Sequence, residues 1–296
     1  MEKKKRVIAL GFFDGVHLGH QALLRECRNL AKKHGCNAAA VTFTAHPDSL
    51  VLGQTPGLLN TSKDREKLLH AYGMDKVLEL PFDRALMTTH WSDFLQQMIA
   101  HDAAGFVCGS DFRFGAGGSG TAKKLEGFCL SRQLPYAIVP DQMMDGERIS
   151  STKIRQLLVQ GDVAQANRLL GHPQILTGQV MHGKQLGRTI GIPTANLVLP
   201  ESLLIPRFGV YACRVNVDGS SYLAVTNIGT CPTVNGQTTT VEAHLLDFRG
   251  DLYGKTVTVA FYDFLRDERK FSSLEELQKE IRENALQTRK FFEKSK

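Results

Sequence analysis

Arg6-Val-Ile-Ala-Leu-Gly-Phe-Phe-Asp-Gly-Val-His-Leu-Gly-His20 decides how the first half of this chain folds. Val7–Leu10 is an apolar run of the kind buried in a parallel sheet. It breaks at Gly11, and beyond Gly15 a helix opens whose first turn carries His17 and His20. Residues three apart on a helix share a face. Both imidazoles therefore stand where free N–H groups and the positive end of the helix dipole favour an anion. Gly19 leaves that surface without a side chain, so a phosphate or a flat ring can approach the backbone. A strand, a tight turn and a donor-lined helix start make a phosphate site without a Walker lysine. Two plainer readings compete: each histidine as a satisfied polar residue, or the pair as metal ligands. Zinc needs a third protein ligand, and the neighbouring residues offer none at a recognisable spacing.

Outward from this stretch, strand and helix alternate to about residue 140. Candidate strands are Val7–Phe12, Ala38–Phe43, Lys76–Leu80, Gly105–Cys108 and Tyr136–Val139, with helices near 18–33, 62–72, 91–101 and 121–133. In the first helix Leu23, Leu24, Cys27, Leu30 and Ala31 mark one buried face. Strands joined through helices imply a doubly wound parallel sheet. Ligands of such sheets bind beyond the carboxyl ends of the strands, where Asp14, His17 and His20 fall. Gly115-Ala-Gly-Gly-Ser-Gly120 fits Gly-x-Gly-x-x-Gly, yet it follows the fourth strand, not the first, and Asp141 at the right distance lies past another strand, so it reads as a loop. In Gly146-Glu-Arg-Ile-Ser-Ser-Thr-Lys-Ile-Arg155, Ser150 or Ser151 can cap a helix through Leu157. Hydroxyls at that start, beside Arg148 and Arg155, form a second anion cradle.

A short helix over Val163–Leu170 leads to the turn Gly171-His-Pro173, where the texture changes. Closely spaced strands follow without intervening helices: Ile175–Met181, Val210–Val217, Leu223–Asn227, Thr239–Leu246 and Lys255–Phe264. Hairpin turns are expected at 217–219 and 234–236. This is the pattern of an antiparallel barrel, and it sets domains at 1–170 and 171–296. A closing helix from about Ser273 carries a Ser272-x-x-Glu275 capping box and a stripe of Leu274, Leu277, Ile281 and Ala285. The loop Gly183-Lys-Gln-Leu-Gly-Arg-Thr-Ile-Gly-Ile-Pro-Thr-Ala-Asn-Leu197 carries chemistry. Its glycines let N–H groups face a phosphate, and Pro193 stiffens a turn that aims Thr194 and Asn196, hard oxygen ligands suited to Mg²⁺.

With 296 residues, 42% hydrophobic and 22% charged, the chain has an ordinary globular composition with room for two domains. A net charge of +6 suits polyphosphates as well as nucleic acid and does not choose between them. The six cysteines are scattered without a Cys-x-x-Cys pair, which reads as reduced core thiols in a cytoplasmic protein. No apolar run is long enough for a membrane span. No aromatic and basic platform for single-stranded nucleic acid stands out. Oligomeric state is not legible.

Residues 6–20 resemble the Gly-x-Phe-Asp-x-x-His-x-Gly-His signature of the HxGH nucleotidylyltransferases, in particular the module found in bacterial bifunctional riboflavin kinase/FAD synthetases. The 146–155 stretch resembles that family's Arg-x-Ser-Ser-Thr-x-x-Arg segment. The second half resembles riboflavin kinases through Gly187-Arg-Thr-Ile-Gly-Ile-Pro-Thr-Ala-Asn-Leu197, Asn227-Ile-Gly-Thr-Cys-Pro-Thr233, Val241-Glu-Ala-His-Leu-Leu-Asp-Phe248, Asp251-Leu-Tyr-Gly254 and Phe264–Phe271. The resemblance implies a Rossmann-like nucleotidylyltransferase domain and a Greek-key barrel. It implies ATP-dependent phosphorylation of riboflavin to FMN, then adenylylation of FMN to FAD and pyrophosphate. It assigns Glu242 as general base, and His17, His20 and Arg155 to adenylyl transfer. ATP contacts would come from Gly11, Phe12, Asp14, His17, Gly19, His20, Arg148, Ser151, Thr152 and Arg155, and in the barrel from Gly183, Lys184, Gly187, Arg188 and Gly191. Asp111, Phe112 and Arg266 would meet flavin, and Thr194 and Asn196 would hold Mg²⁺ as cofactor. The chain departs from the family at Ala45, where proline is usual, and at Thr121, where an acid or amide is common. Two other readings stay open: an N-terminal module adenylylating another acceptor, and a flavin-binding regulator without activity.

Overall fold

The computed structural model describes residues 4–46, 49, 56–181, 192–233 and 236–294. The chain packs as two compact units: residues 1–58 with 62–151, and residues 59–61 with 152–296. The boundary read from sequence, at 170/171, falls later, because residues 152–170 pack with the second unit.

The first unit is built on a five-stranded parallel sheet of order β3-β2-β1-β4-β5, with β1 Arg6–Leu10, β2 Asn37–Phe43, β3 Lys76–Leu80, β4 Ala103–Gly109 and β5 Tyr136–Val139. Its helices are α1 Leu18–Lys33, α2 Ser62–Ala71, α3 Arg84–Thr88, α4 Trp91–Ala100 and α5 Ala122–Ser131. Alternate strand residues feed separate cores. Val7, Ala9, Ala38 and Ala40 pack with Leu23, Leu24, Cys27 and Ala31 of α1. Ile8, Leu10, Ala39 and Val41 pack with Phe94, Leu95 and Met98 of α4 and Leu125 and Phe128 of α5. A two-stranded hairpin, β6 Met143–Met144 and β7 Glu147–Arg148, follows. The expected elements are present, with α3 and the hairpin as additions.

The second unit takes in α6, which spans Ser151–Gln160, from Thr152 onward, and α7 Val163–Leu170. Its barrel is closed in the order β10-β11-β12-β9-β8-β13. The strands are β8 Gln174–Met181, β9 Ala195–Val198, β10 Gly209–Val217, β11 Ser220–Thr233, β12 Gly236–Leu245 and β13 Thr256–Arg266. All its pairings are antiparallel. The hairpin between β10 and β11 turns on Asp218 (φ 50°) and Gly219 (φ 77°), the mirror-image turn that matches strand twist. Asn235, in the other expected hairpin, lies outside the described residues.

The closing helix α8, Leu274–Lys294, departs from expectation in two ways. Its cap is one residue later: Ser273 Oγ accepts from Glu276 N at 3.2 Å, and Glu276 in turn accepts from Ser272 N at 2.9 Å. Its buried positions are Glu280, Asn284, Thr288 and Phe292, whereas Leu274 is exposed and Leu277 and Ile281 are half-buried. The reason is that Leu274, Leu277 and Ile281 line a cavity.

Candidate active sites

In the first unit, β1 is the point where strand order reverses, flanked by β2 and β4. The chain leaves it through a turn of unusual backbone. Phe13 (φ 59°), Gly15 (φ 79°) and Val16 (φ 41°) all take left-handed conformations, which a β-branched valine adopts only under constraint. The constraint is burial: Phe13 and Val16 are fully enclosed. The turn makes His17 the N-cap of α1, its Nδ1 accepting from His20 N at 3.4 Å. That bond requires Nδ1 of His17 to be unprotonated. The His17 and His20 rings stack with centroids 3.7 Å apart. A Cβ at position 19 would stand 3.0 Å from the His17 ring, tighter than ordinary contact, so the ring would have to give by a few tenths of an ångström. His20 Nδ1 is buried without a partner. Burial, and secondarily His17, hold the His20 pKa well below 6.5, so the imidazole is neutral at pH 7.

Asp14 is buried at 2% exposure, and its carbonyl accepts from Ser151 Oγ at 2.9 Å within the first unit. Gly11 and Phe12 sit on the same turn, with Phe12 edge-on to His46 at 4.8 Å. Arg148 pairs with Asp111, and its Nε lies 3.3 Å from Asp141. The residue expected to meet nucleotide is thus tied to the one expected to meet flavin. Phe112 stacks on Phe114 at 5.7 Å. The Gly115–Gly120 loop closes on itself through a Phe114–Gly120 bridge, and Thr121 caps α5. Thr152 and Arg155 lie on α6 and pack with the second unit.

In the barrel, the expected Thr194–Asn196 turn is a turn only in part. Asn196 belongs to β9, directly opposite Glu242 of β12. Glu242 is in turn opposite Asn227 of β11. Asn196, Glu242 and Asn227 therefore form a polar row across adjacent strands, while Val241, Ala243 and Leu245 are buried at the alternate positions. His244 holds the turn before β9 through Nδ1 and Pro193 O at 2.9 Å. A cavity of about 490 Å³ is lined by Pro193, Thr194, Asn196, Phe248, Asp251 and Tyr253. A second, of about 290 Å³, is lined by Thr194, Asn227, Glu242, Arg266, Phe271 and α8. Thr194 lines both. Arg266 is held by Glu280 at 2.7 Å, and burial lowers its pKa. Asn227 and Glu280 were not picked out by sequence reasoning. Asn227 opens a segment resembling the family, whereas Glu280 belongs to none of the quoted segments and stands among other charges on the closing helix. Gly183, Lys184, Gly187, Arg188 and Gly191 lie outside the described residues.

An α/β unit with a nucleotide-type strand-to-helix turn, joined to a barrel with paired cavities, defines a two-site transferase. A family model described as FAD synthetase matches residues 1–153, and one described as riboflavin kinase matches 170–292. A bifunctional riboflavin kinase/FMN adenylyltransferase of Listeria monocytogenes is 36% identical, over 98% of this chain and 93% of its own length. That of Escherichia coli K12 is 38% identical, over 97% of this chain and 92% of its own. A crystal structure from Streptococcus pneumoniae, described as a macrolide-efflux protein, superposes with a TM-score of 0.86 at 32% identity, covering 98% of this chain and 95% of that one. No helix among the described residues is long and apolar enough to cross a membrane. The chain belongs to the bifunctional riboflavin kinase/FMN adenylyltransferase family.

Proposed function

We propose that the two reactions of this bifunctional enzyme are divided between its units: the barrel phosphorylates riboflavin to FMN, and the α/β unit adenylylates FMN to FAD. The observation that carries this reading is Thr194, which lines both barrel cavities. A nucleotide in the larger and a flavin in the smaller would meet there, beside Asn196 and Glu242. Glu242 takes the proton from the riboflavin 5′-hydroxyl as that oxygen attacks the γ-phosphorus of ATP, leaving ADP. Phosphoryl transfer asks mainly for such positioning and charge balance. Arg266, steadied by Glu280, faces the flavin side. The Thr194 hydroxyl and Asn196 amide fit a hard cation, since an oxygen pair at a shared cavity edge suits an ion that keeps substrate phosphates as its remaining ligands. Mg²⁺ held there with ATP would neutralise charge on the phosphates.

In the first unit, FMN phosphate attacks the α-phosphorus of a second ATP and pyrophosphate leaves. Direct transfer needs no protein nucleophile. His17 and His20 donate to the α-phosphate as its charge grows, a preorganised role. Gly11, Phe12, Asp14 and Gly19 shape the nucleotide side, and Arg148 and Ser151 hold the departing pyrophosphate. Asp111 and Phe112 take the flavin. The described cysteines Cys27, Cys36, Cys108, Cys129 and Cys213 form no disulfide, and burial pushes the Cys27, Cys108 and Cys129 thiols up to about 12, which keeps them protonated at pH 7. Incubating the full chain with riboflavin, ATP and Mg²⁺ tests the reading: FMN should form first and FAD second. Formation of neither overturns it.

A further inference from the structure

Arg65 of α2 is a fully buried arginine, at 1% exposure, outside every motif that points to the adenylyltransferase chemistry. Its Nη2 donates to Phe43 O at 2.8 Å, at the carboxyl end of β2, and to Glu79 Oε1 at 3.1 Å, near the end of β3. The guanidinium carbon lies 4.5 Å from the centroid of the Phe12 ring. Phe12 is thereby held on three sides: ring face by Arg65, ring edge by His46, and carbonyl by Thr42 Oγ1 at 2.8 Å. Arg65 thus connects the ligand-facing ends of β2 and β3 with the residue that starts the left-handed turn.

An arginine retained only to tie strand ends together would be expected to have its donors filled, because an unpaired buried N–H is costly. Arg65 is not so arranged: its Nε and Nη1 find no partner. Its charge also reaches beyond its ion pair. Burial lowers its pKa, and both Glu79 and the catalytic-turn residue Asp14 oppose that shift. Beyond its ion pair with Glu79, the guanidinium is therefore coupled to the turn that delivers His17 and His20, and to the aromatic ring beside it.

We propose that Arg65 is a positioning residue of the adenylyltransferase site, setting the Phe12–Asp14 turn, and with it the ATP-binding surface, through the Phe12 ring and the Asp14 carboxylate. The inference rests on the assignment of FAD formation to the first unit. Riboflavin phosphorylation in the barrel supplies an internal control for folding.

The test compares Arg65→Met, Arg65→Lys and the unaltered full chain, each assayed for FAD formation from FMN and ATP and for FMN formation from riboflavin and ATP. Arg65→Met should raise the ATP KM of FAD formation about ten-fold, the size of one desolvated cation–π contact. Its kcat should stay within about two-fold, and riboflavin phosphorylation should be unchanged. Arg65→Lys, which keeps the charge and loses the flat face, should recover part of the KM. An unaltered ATP KM in Arg65→Met overturns the proposal, as does a fall in kcat alone. If Arg65→Met fails to fold, Glu79→Gln and Arg65→Lys carry the same test through the ATP KM. A lysine variant no better than methionine would reduce Arg65 to packing and also overturn it. Absence of FAD formation by the unaltered chain would instead overturn the underlying assignment.

Discussion

Asn196 and Glu242 face each other across β9 and β12 in one antiparallel register pair. Strand pairing places the carboxylate, which lines the smaller cavity, beside the amide, which lines the larger. Cross-strand neighbours are held within side-chain reach by the ladder itself. Glu242→Gln keeps the shape and removes the base. FMN formation from riboflavin should fall by about two to four orders of magnitude, whereas FAD formation from added FMN should persist. Product analysis on both substrates checks this; equal loss of the two products would contradict the division of labour.

His20 leads to a prediction about protons. Its pKa lies well below 6.5, first through burial and then through His17. A polyphosphate brought against the imidazole favours the charged form and raises that pKa. ATP binding near pH 6 should therefore take up protons at this site, and His20→Asn should reduce the uptake. Calorimetry in buffers of different ionisation enthalpy measures the difference. The depressed pKa also has a stability sign: the unfolded chain binds more protons between the folded pKa and 6.5, so stability drops as pH falls through that window and is retained above it.

The same imidazoles mark how far sequence reading reaches. The apolar run before Gly11 and the helix after Gly15 were legible because burial and periodicity are written in residue type. The left-handed Phe13 and Val16 were not, since neither residue favours that conformation and only the surrounding core imposes it. β9 was missed because Pro193-Thr-Ala-Asn196 has the composition of a turn, while its pairing partner lies far along the chain in β12. Charged helix residues are the hardest case. Arg65 and Glu280 stand among other charges on amphipathic helices, where solvation is the ordinary reading, and the groups that bury them come from distant strands. For α8 the expected apolar stripe is real, yet part of it borders the smaller cavity instead of packing.

Arg148 pairs with both Asp111 and Asp141, while remaining half-exposed. To hold pyrophosphate it must exchange or share these carboxylates. Exposed ion pairs contribute only about 0–1 kcal/mol, so the competition is weak and reversible. Asp141→Asn should lower the ATP KM of FAD formation by up to about five-fold, with the benefit shrinking as salt rises. A raised KM in the variant would show that Asp141 orients Arg148 for the nucleotide and does not compete with it.

Glu280 is 9% exposed and accepts from both Arg266 and Arg269 at the wall of the smaller cavity. Removing the shared carboxylate leaves two like charges facing each other, one of them half-desolvated. A fully buried pair broken on one side costs about 3–5 kcal/mol; because Arg269 remains substantially exposed, about 2 kcal/mol is the expected loss for Glu280→Ala. Thermal unfolding should report that loss. If Arg266 meets the flavin in the pose that Glu280 sets, the riboflavin KM should also rise, while the ATP KM of FAD formation in the other unit stays unchanged. Lower stability with an unaltered riboflavin KM would make this network a brace for α8 alone and remove Arg266 from the flavin contacts.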